Sequence, residues 1–346
     1  MNTNICFISS LLSQEKAGAE SAEPAFSLYF FSKNTMDQKV TVVALTENRR
    51  YDSDEIKKNI EKSSAAIGFS QRFHGTRVLL KPNLISGRGP VYACTDLAVI
   101  IAAAEWFIDH GAFVSLGDSP AFGGCTQVLR RHGMESALTR LGVHITEFKT
   151  PVIRKLSNHV SVGIAAEALT CDLLVNLPKI KAHNQMFMTM AVKNLFGIVC
   201  GMRKALIHMK NGTSHERFAE VMLDLAEIVP PSIVIADGIE VMHRQGPVGG
   251  DRLHLGCIAM GCDPVSVDSA MLDALELEPE RCPIWRSAAR RKHPGSDLSA
   301  LTYPLDHPSI FHGSGFIAPQ ILNPVPFNPL RFMVSSFRRV LLRMCR

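Results

Sequence analysis

Leu173-Leu174-Val175-Asn176-Leu177-Pro178-Lys179-Ile180-Lys181-Ala182-His183 is the segment that decides the fold. Its first five residues are mostly apolar, stop at a proline and have the length of a strand buried on both faces, as in a parallel sheet. After the proline comes a dense polar set: Lys179, Lys181, His183, Thr189, Lys193 and Asn194. A short buried strand thus empties into a cationic loop. If the chain stays extended beyond Pro178, Lys179, Lys181 and His183 share one face, because strand side chains alternate. Two ammonium groups about 7 Å apart repel by about 2 kcal/mol at an effective dielectric of about 20. Such a pair needs open water or an anion, and open α/β sheets bind their ligands just past the strand ends.

The same unit recurs along the chain. Strands are predicted at Val40 to Leu45, Arg77 to Leu80, Ala112 to Leu116, Leu173 to Leu177, Ile233 to Ala236 and Gly256 to Met260. Helices are predicted at Ser53 to Ile67, Asp96 to His110, Met134 to Leu141, Ser214 to Ile228 and Pro264 to Leu275. Asp96, Ser214 and Asp263 stand where helix caps belong, and Pro264 suits a first helical position. This alternation predicts an α/β fold, a largely parallel or mixed sheet flanked by helices, with the strand-end loops forming the site. Those loops carry Lys81 and Asn83, Asp118 and Ser119, Lys179 to His183, and Asp237. The carboxyl ends of parallel strands lie along one edge, so these groups are expected to converge. A helix over Gln185 to Phe196 would set Thr189 and Lys193 on one face and end at Gly197 in a left-handed stop. His208 is a candidate proton carrier, and the loop Gly246-Pro247-Val248-Gly249-Gly250 a candidate lid.

Length and composition bound the rest. The 346 residues are 46% hydrophobic and 20% charged, which is ordinary for a globular chain with a sizeable core. The net charge of +5 comes from Arg331, Arg338, Arg339, Arg343 and Arg346, with no acid among them. The body is balanced, so the charge gives no support to nucleic-acid binding, which needs a basic stripe across the body. Nine scattered cysteines without a C-x-x-C spacing suggest a reducing, cytoplasmic setting and encode neither a zinc ribbon nor a cluster loop. No metal site is predicted. Residues 1–35 lack periodicity and signal-peptide features and are expected to be a mobile extension, with the α/β domain over 36–295 and a Pro-rich wrap or linker over 296–328. In 329–346 an apolar stripe from Leu330 to Met344 opposes the five arginines, which describes a basic amphipathic helix. It is expected to lie on anionic membrane at the inner face, to enter a partner's groove, or to fold back on the body.

Taken in order, Lys81-Pro82-Asn83, Gly117-Asp118-Ser119, Leu177 to His183, Thr189 to Gly197, His208, Asp237-Gly238, Gly246-Pro247 and Asp263-Pro264 with Asp268 resemble domain-of-unknown-function family 362. Its members are often labelled iron-sulfur-associated proteins. The resemblance covers about Val40 to Leu277 and implies a shared fold and site without a substrate. Two departures matter. Many relatives carry a ferredoxin-like module with closely spaced cysteines that this chain lacks, so any iron-sulfur cluster would sit on a partner. The family also tends to place Glu-Gly shortly before its Gly-Pro, where this chain has His243 and Arg244.

Two functions are expected on these grounds. One is an enzyme of unassigned reaction, in redox metabolism or otherwise, that binds a small carboxylate or phosphate. Lys181, His183, Lys193 and His208 would be its catalytic candidates, and Lys81, Asn83, Asp118, Ser119, Lys179, Thr189, Asn194, Asp237 and Gly246 its substrate-binding set. The other is a non-catalytic accessory protein that docks an iron-sulfur or other redox partner, held by the arginine tail, with the lysine cluster as its surface for an acidic partner.

Overall fold

Apolar residues of alternating orientation run through five adjacent strands, and they explain the layers of the molecule. In a computed structural model, residues 41–324 are described apart from 70, 71, 158, 201–203, 205, 206 and 208–210. The strands are β1 (Val43–Glu47), β2 (Arg77–Pro82), β3 (Phe113–Asp118), β4 (His144–Glu147), β5 (Pro151–Lys155), β6 (Ser161–Ala165), β7 (Leu173–Leu177), β8 (Lys179–His183), β9 (Phe187–Thr189), β10 (Ser232–His243) and β11 (Asp251–Gly261). The helices are α1 (Ser53–Ala66), α2 (Leu97–Asp109), α3 (Cys125–Arg131), α4 (Glu135–Arg140), α5 (Ala166–Thr170), α6 (Ala191–Asn194), α7 (His215–Ile228), α8 (Pro264–Ala274) and α9 (Pro283–Arg290).

The main sheet runs β1-β11-β10-β7-β2-β3-β4, with β8 and β9 attached through β10, while β5 and β6 form a separate hairpin. The pairings among β10, β7, β2, β3 and β4, and of β8 with β10, are parallel; β1 and β10 both pair antiparallel with β11, as β8 does with β9. The sheet is therefore mixed and mostly parallel. Side chains of opposite parity enter two cores: Leu79, Leu174, Val234 and Ala236 pack with α7 and α8, and Val78, Leu80, Leu173, Val175, Ile233 and Ile235 with α1 and α2. Both faces are covered, which is why β7 is apolar but for Asn176 and buried along its length.

Local signals set the helix starts. The Asp52, Asp96, Ser214 and Asp263 side chains accept from backbone N–H groups of α1, α2, α7 and α8. Between Gln185 and Phe196 the chain does not form the single helix expected from its spacing. It makes a turn, the short strand β9, the one-turn α6 and then a 3-10 segment, Leu195–Ile198. Pairing with β8 outcompetes helix formation there, and Thr189 lies opposite Lys181 rather than one turn before Lys193. Gly197 accordingly sits inside the 3-10 segment and has no positive φ.

Topology gathers the candidate residues at one place in the sheet. From β2 the chain moves outward through β3 and β4, then returns to lay β7 and β10 on the other side of β2. The sheet order thus reverses between β2 and β7, and the crevice beyond their carboxyl ends is where such folds bind ligands. Lys81 and Asn83 leave β2 at this point, and Lys179 and Lys181 come directly after β7.

Candidate functional site

The strand ends meet in a buried polar network. Lys81 Nζ lies 2.7 Å from Asp118 Oδ1 and also donates to the Pro82 carbonyl and Asn194 Oδ1, while Asp118 Oδ2 accepts from Leu84 N–H. Asn194 Oδ1 accepts from the Asn83 amide at 2.8 Å, and its Nδ2 donates to Asn176 Oδ1 at 2.8 Å. Asn83 Oδ1 in turn accepts from Lys181 Nζ, which also donates to the Ala93 carbonyl. On the β10 side, Lys179 Nζ lies 2.9 Å from Asp237 Oδ2 and donates to the Tyr51 hydroxyl, and that hydroxyl donates to Asp237 Oδ1. Asp237 Oδ2 also accepts from Asp96 N–H. The side chains of Lys81 and Lys181 have no solvent exposure, nor does Lys179.

The four lysines divide by charge balance. Lys81 and Lys179 are each neutralised by a buried carboxylate. Lys181 is hydrogen-bonded only to neutral acceptors, and burial pushes its ammonium down to about 7; the nearby Cys94 thiol and Asp118 act against the shift, and the Lys193 and Lys179 charges act with it. Lys193 is half-buried, and among the described residues nothing bonds to its ammonium. Burial, with the Lys204 charge, pushes it down to about 7 as well. Two amines near neutrality, neither ion-paired to a carboxylate among the described residues, therefore accompany two closed ion pairs. Thr189 Oγ1, buried on the strand register of Lys181, has no hydrogen-bond partner.

The other expected residues take varied places. His183 Nδ1 accepts from Gln185 and Met186 N–H, which puts its ring proton on Nε2. Ser119 N–H donates to Gly197 O, and Ser119 O accepts from Lys204. Gly246 exchanges hydrogen bonds with Asn184, and a Cβ there would strike the Ala182 carbonyl, so this glycine packs against the β8–β9 turn. Asp268 caps α6 through Ala191 and Val192 N–H, and burial holds its carboxyl well above the usual range. His208, the extension 1–35 and the arginine-rich helix over 329–346 lie outside the described residues; of 296–328, the stretch to 324 is described and bridges β1 through Thr302 and Asp306.

Sequence reasoning missed several members. Tyr51 carries no local signal, because its role depends on reaching Asp237 from the loop before α1. Asn176 was legible as the one polar residue in β7, and a buried amide needs partners. Cys94 contacts the His132 ring, and that contact together with the Lys181 charge outweighs burial to lower its thiol below the ordinary range. Iron-sulfur ligation needs several thiolates at one point. The seven described cysteines are free, and among the described residues no three His, Cys, Asp or Glu side chains gather, so this donor set does not fit a cluster.

Gly197 has a role the helix-stop argument did not foresee. A Cβ there would run into both Lys81 Nζ and Asp118 Oδ1. Gly197→Ala is expected to cost about 1–3 kcal/mol, the usual range for overpacking, as a lowered urea midpoint with an unchanged m-value. A midpoint equal to the parent's would show that the ion pair has room to shift.

The family model described as "Domain of unknown function (DUF362)" matches residues 78–273. The thylakoid-associated protein sll1697 of Synechocystis sp. (strain ATCC 27184 / PCC 6803 / Kazusa) is 33% identical over 308 residues, covering 88% of this chain and 96% of that one. Among solved structures, the lactate racemase apoprotein from Thermoanaerobacterium thermosaccharolyticum aligns with a TM-score of 0.46 and 11% identity, covering 69% of this chain and 58% of that one. A Thermotoga maritima protein aligns with a TM-score of 0.35 and 10% identity, covering 63% of this chain and 57% of that one. The chain thus spans under two thirds of the length of these two structures. Among the described residues no helix is long and apolar enough to cross a membrane.

Proposed function

The chain belongs to the DUF362 family of unknown function, and we propose that it is an enzyme that binds a small carboxylate or phosphate at the β2/β7 crevice. The observation that supports this is the imbalance among the lysines: Lys181 and Lys193 stand without carboxylates beside two lysines that have them. An anion supplies the missing charge, and fixed ammonium groups stabilise negative charge that develops during reaction. An amine near pKa 7 is also a usable proton acceptor at neutral pH. His183, with its proton on Nε2, serves as a hydrogen-bond donor. The reaction stays unassigned; redox chemistry, isomerisation and ligation all fit this charge arrangement. The accessory function gains less support, because docking an acidic partner needs exposed charge and three of the amines are fully buried. A redox partner carrying a cluster, peripheral membrane contact through 329–346 and a cytoplasmic location belong to the same proposal.

The pH dependence is set by the two amines. Each is mostly neutral above about pH 7, and a bound anion raises its pKa by favouring the charged form. Binding therefore takes up protons above pH 7, and affinity falls as pH rises. Calorimetric titration with a panel of small carboxylates and phosphates should show at least a tenfold loss of affinity from pH 7 to pH 9, at about one decade per pH unit for each proton taken up. Affinity that is level across this range, for ligands that keep their own charge, would refute the assignment to these amines.

A further inference from the structure

We infer that a second anion site, one for a dianionic phosphate group, lies in the cleft between Arg88 and Arg131. The loops leaving β2 and β3 are tied side by side there, by a bridge between Ser86 and Phe122 and by Phe122 N–H donating to the Ile85 carbonyl. Between them is a cavity of about 250 Å³ whose lining includes Arg88, Arg131, Gln127 and Ser86 and has no acidic side chain.

Charge pairing sets this cleft apart. Arg130 is matched by Glu135 at 2.6 Å, and Glu147 caps the start of α3 through Cys125 and Thr126 N–H. Arg131, one residue on, has no hydrogen bond or ion pair to its guanidinium among the described residues, and neither does that of Arg88. Two unpaired guanidiniums on one cavity present forked donors and a charge of +2, which matches a phosphate monoester of about −1.5 to −2 at neutral pH. Gln127 offers an amide donor, and the Ser86 hydroxyl, which accepts from Arg88 N–H, keeps its own proton to donate. The backbone is shaped to suit. A Cβ on Gly87 would come within 2.6 Å of Arg131 Cδ and 3.0 Å of its Cβ, so a side chain there would push the arginine stem off this loop.

The site is separable from the lysine amines by pH, since at pH 9 amines of pKa about 7 are neutral while guanidiniums stay charged. Inorganic phosphate would be titrated into the full-length chain at pH 9 and low ionic strength. Arg88→Gln and Arg131→Gln are each expected to weaken binding at least tenfold, and Gly87→Ala to weaken it with both charges in place. Lys181→Met should change it less than twofold. Glycerol phosphate and vesicles containing phosphatidic acid offer the same group free and on a membrane; displacement of inorganic phosphate by either supports the site and names its source. Binding unchanged in the double variant Arg88→Gln/Arg131→Gln would overturn the inference. So would binding lost only in Lys181→Met, which would assign phosphate to the amines and leave the proposed function standing.

Discussion

Asp118→Ala is expected to destabilise the fold by about 3–5 kcal/mol, the range for removing one partner of a buried ion pair. Asp118 is only 3% exposed and Lys81 not at all, so water cannot reach the stranded ammonium. Leu84 N–H loses its acceptor in the same step. Urea denaturation at pH 7 measures the loss, and the double variant Lys81→Met/Asp118→Leu should recover much of it, because a paired apolar replacement leaves no uncompensated charge. A loss below about 1 kcal/mol, the level of exposed pairs, would show that the pair is hydrated in solution.

Lys181→Met is expected to have the opposite character, with a large effect on the site and a small one on the fold. Anion affinity should fall by about two to three orders of magnitude, as for loss of a buried hydrogen-bonded charge at 2–5 kcal/mol, and turnover with it. Stability separates this role from a structural one. The Lys181 ammonium is pushed down to about 7, against about 10.4 in an unfolded chain. Between those values the unfolded chain binds more protons, so the parent's stability rises with pH across this window and carries the full penalty below about pH 7. At about 1.4 kcal/mol per pKa unit the penalty is a few kcal/mol. The substitution removes it but orphans Asn83 Oδ1 and the Ala93 carbonyl, at about 1–3 kcal/mol each. The net change at neutral pH is therefore small, and the diagnostic result is a stability curve flatter than the parent's between pH 7 and 10. An unchanged slope would mean that Lys181 is solvated or paired in solution.

Much of the architecture was legible because it rests on local chemistry. The apolar run of β7, the caps at Asp96, Ser214 and Asp263, and the proline at the start of α8 each act within a few residues. The antiparallel edge made by β1, β10 and β11 was not legible, since strand direction depends on where distant segments dock. The stretch from Gln185 to Gly197 misled for the same reason: helical spacing there yields to pairing with β8.

For the site, residue types were visible and partnerships were not. Lys81, Asp118, Lys179 and Asp237 stood out as charges at strand ends, but only the sheet order shows which carboxylate meets which lysine. That matching leaves Lys181 and Lys193 as the amines without a carboxylate, which is what the proposed anion site rests on. The arginine cleft was silent in sequence because Arg88 lies on the loop after β2 and Arg131 at the end of α3, and their adjacency comes from the parallel pairing of β2 and β3.

Proton uptake on ligand binding tests the central claim most directly. A small carboxylate that binds the full-length chain would be titrated calorimetrically at pH 8, in two buffers of different ionisation enthalpy. If the unneutralised amines receive the anion, at least half a proton per site is taken up in the parent chain, and the uptake falls in Lys181→Met. Tight binding with no proton uptake in the parent would contradict the account.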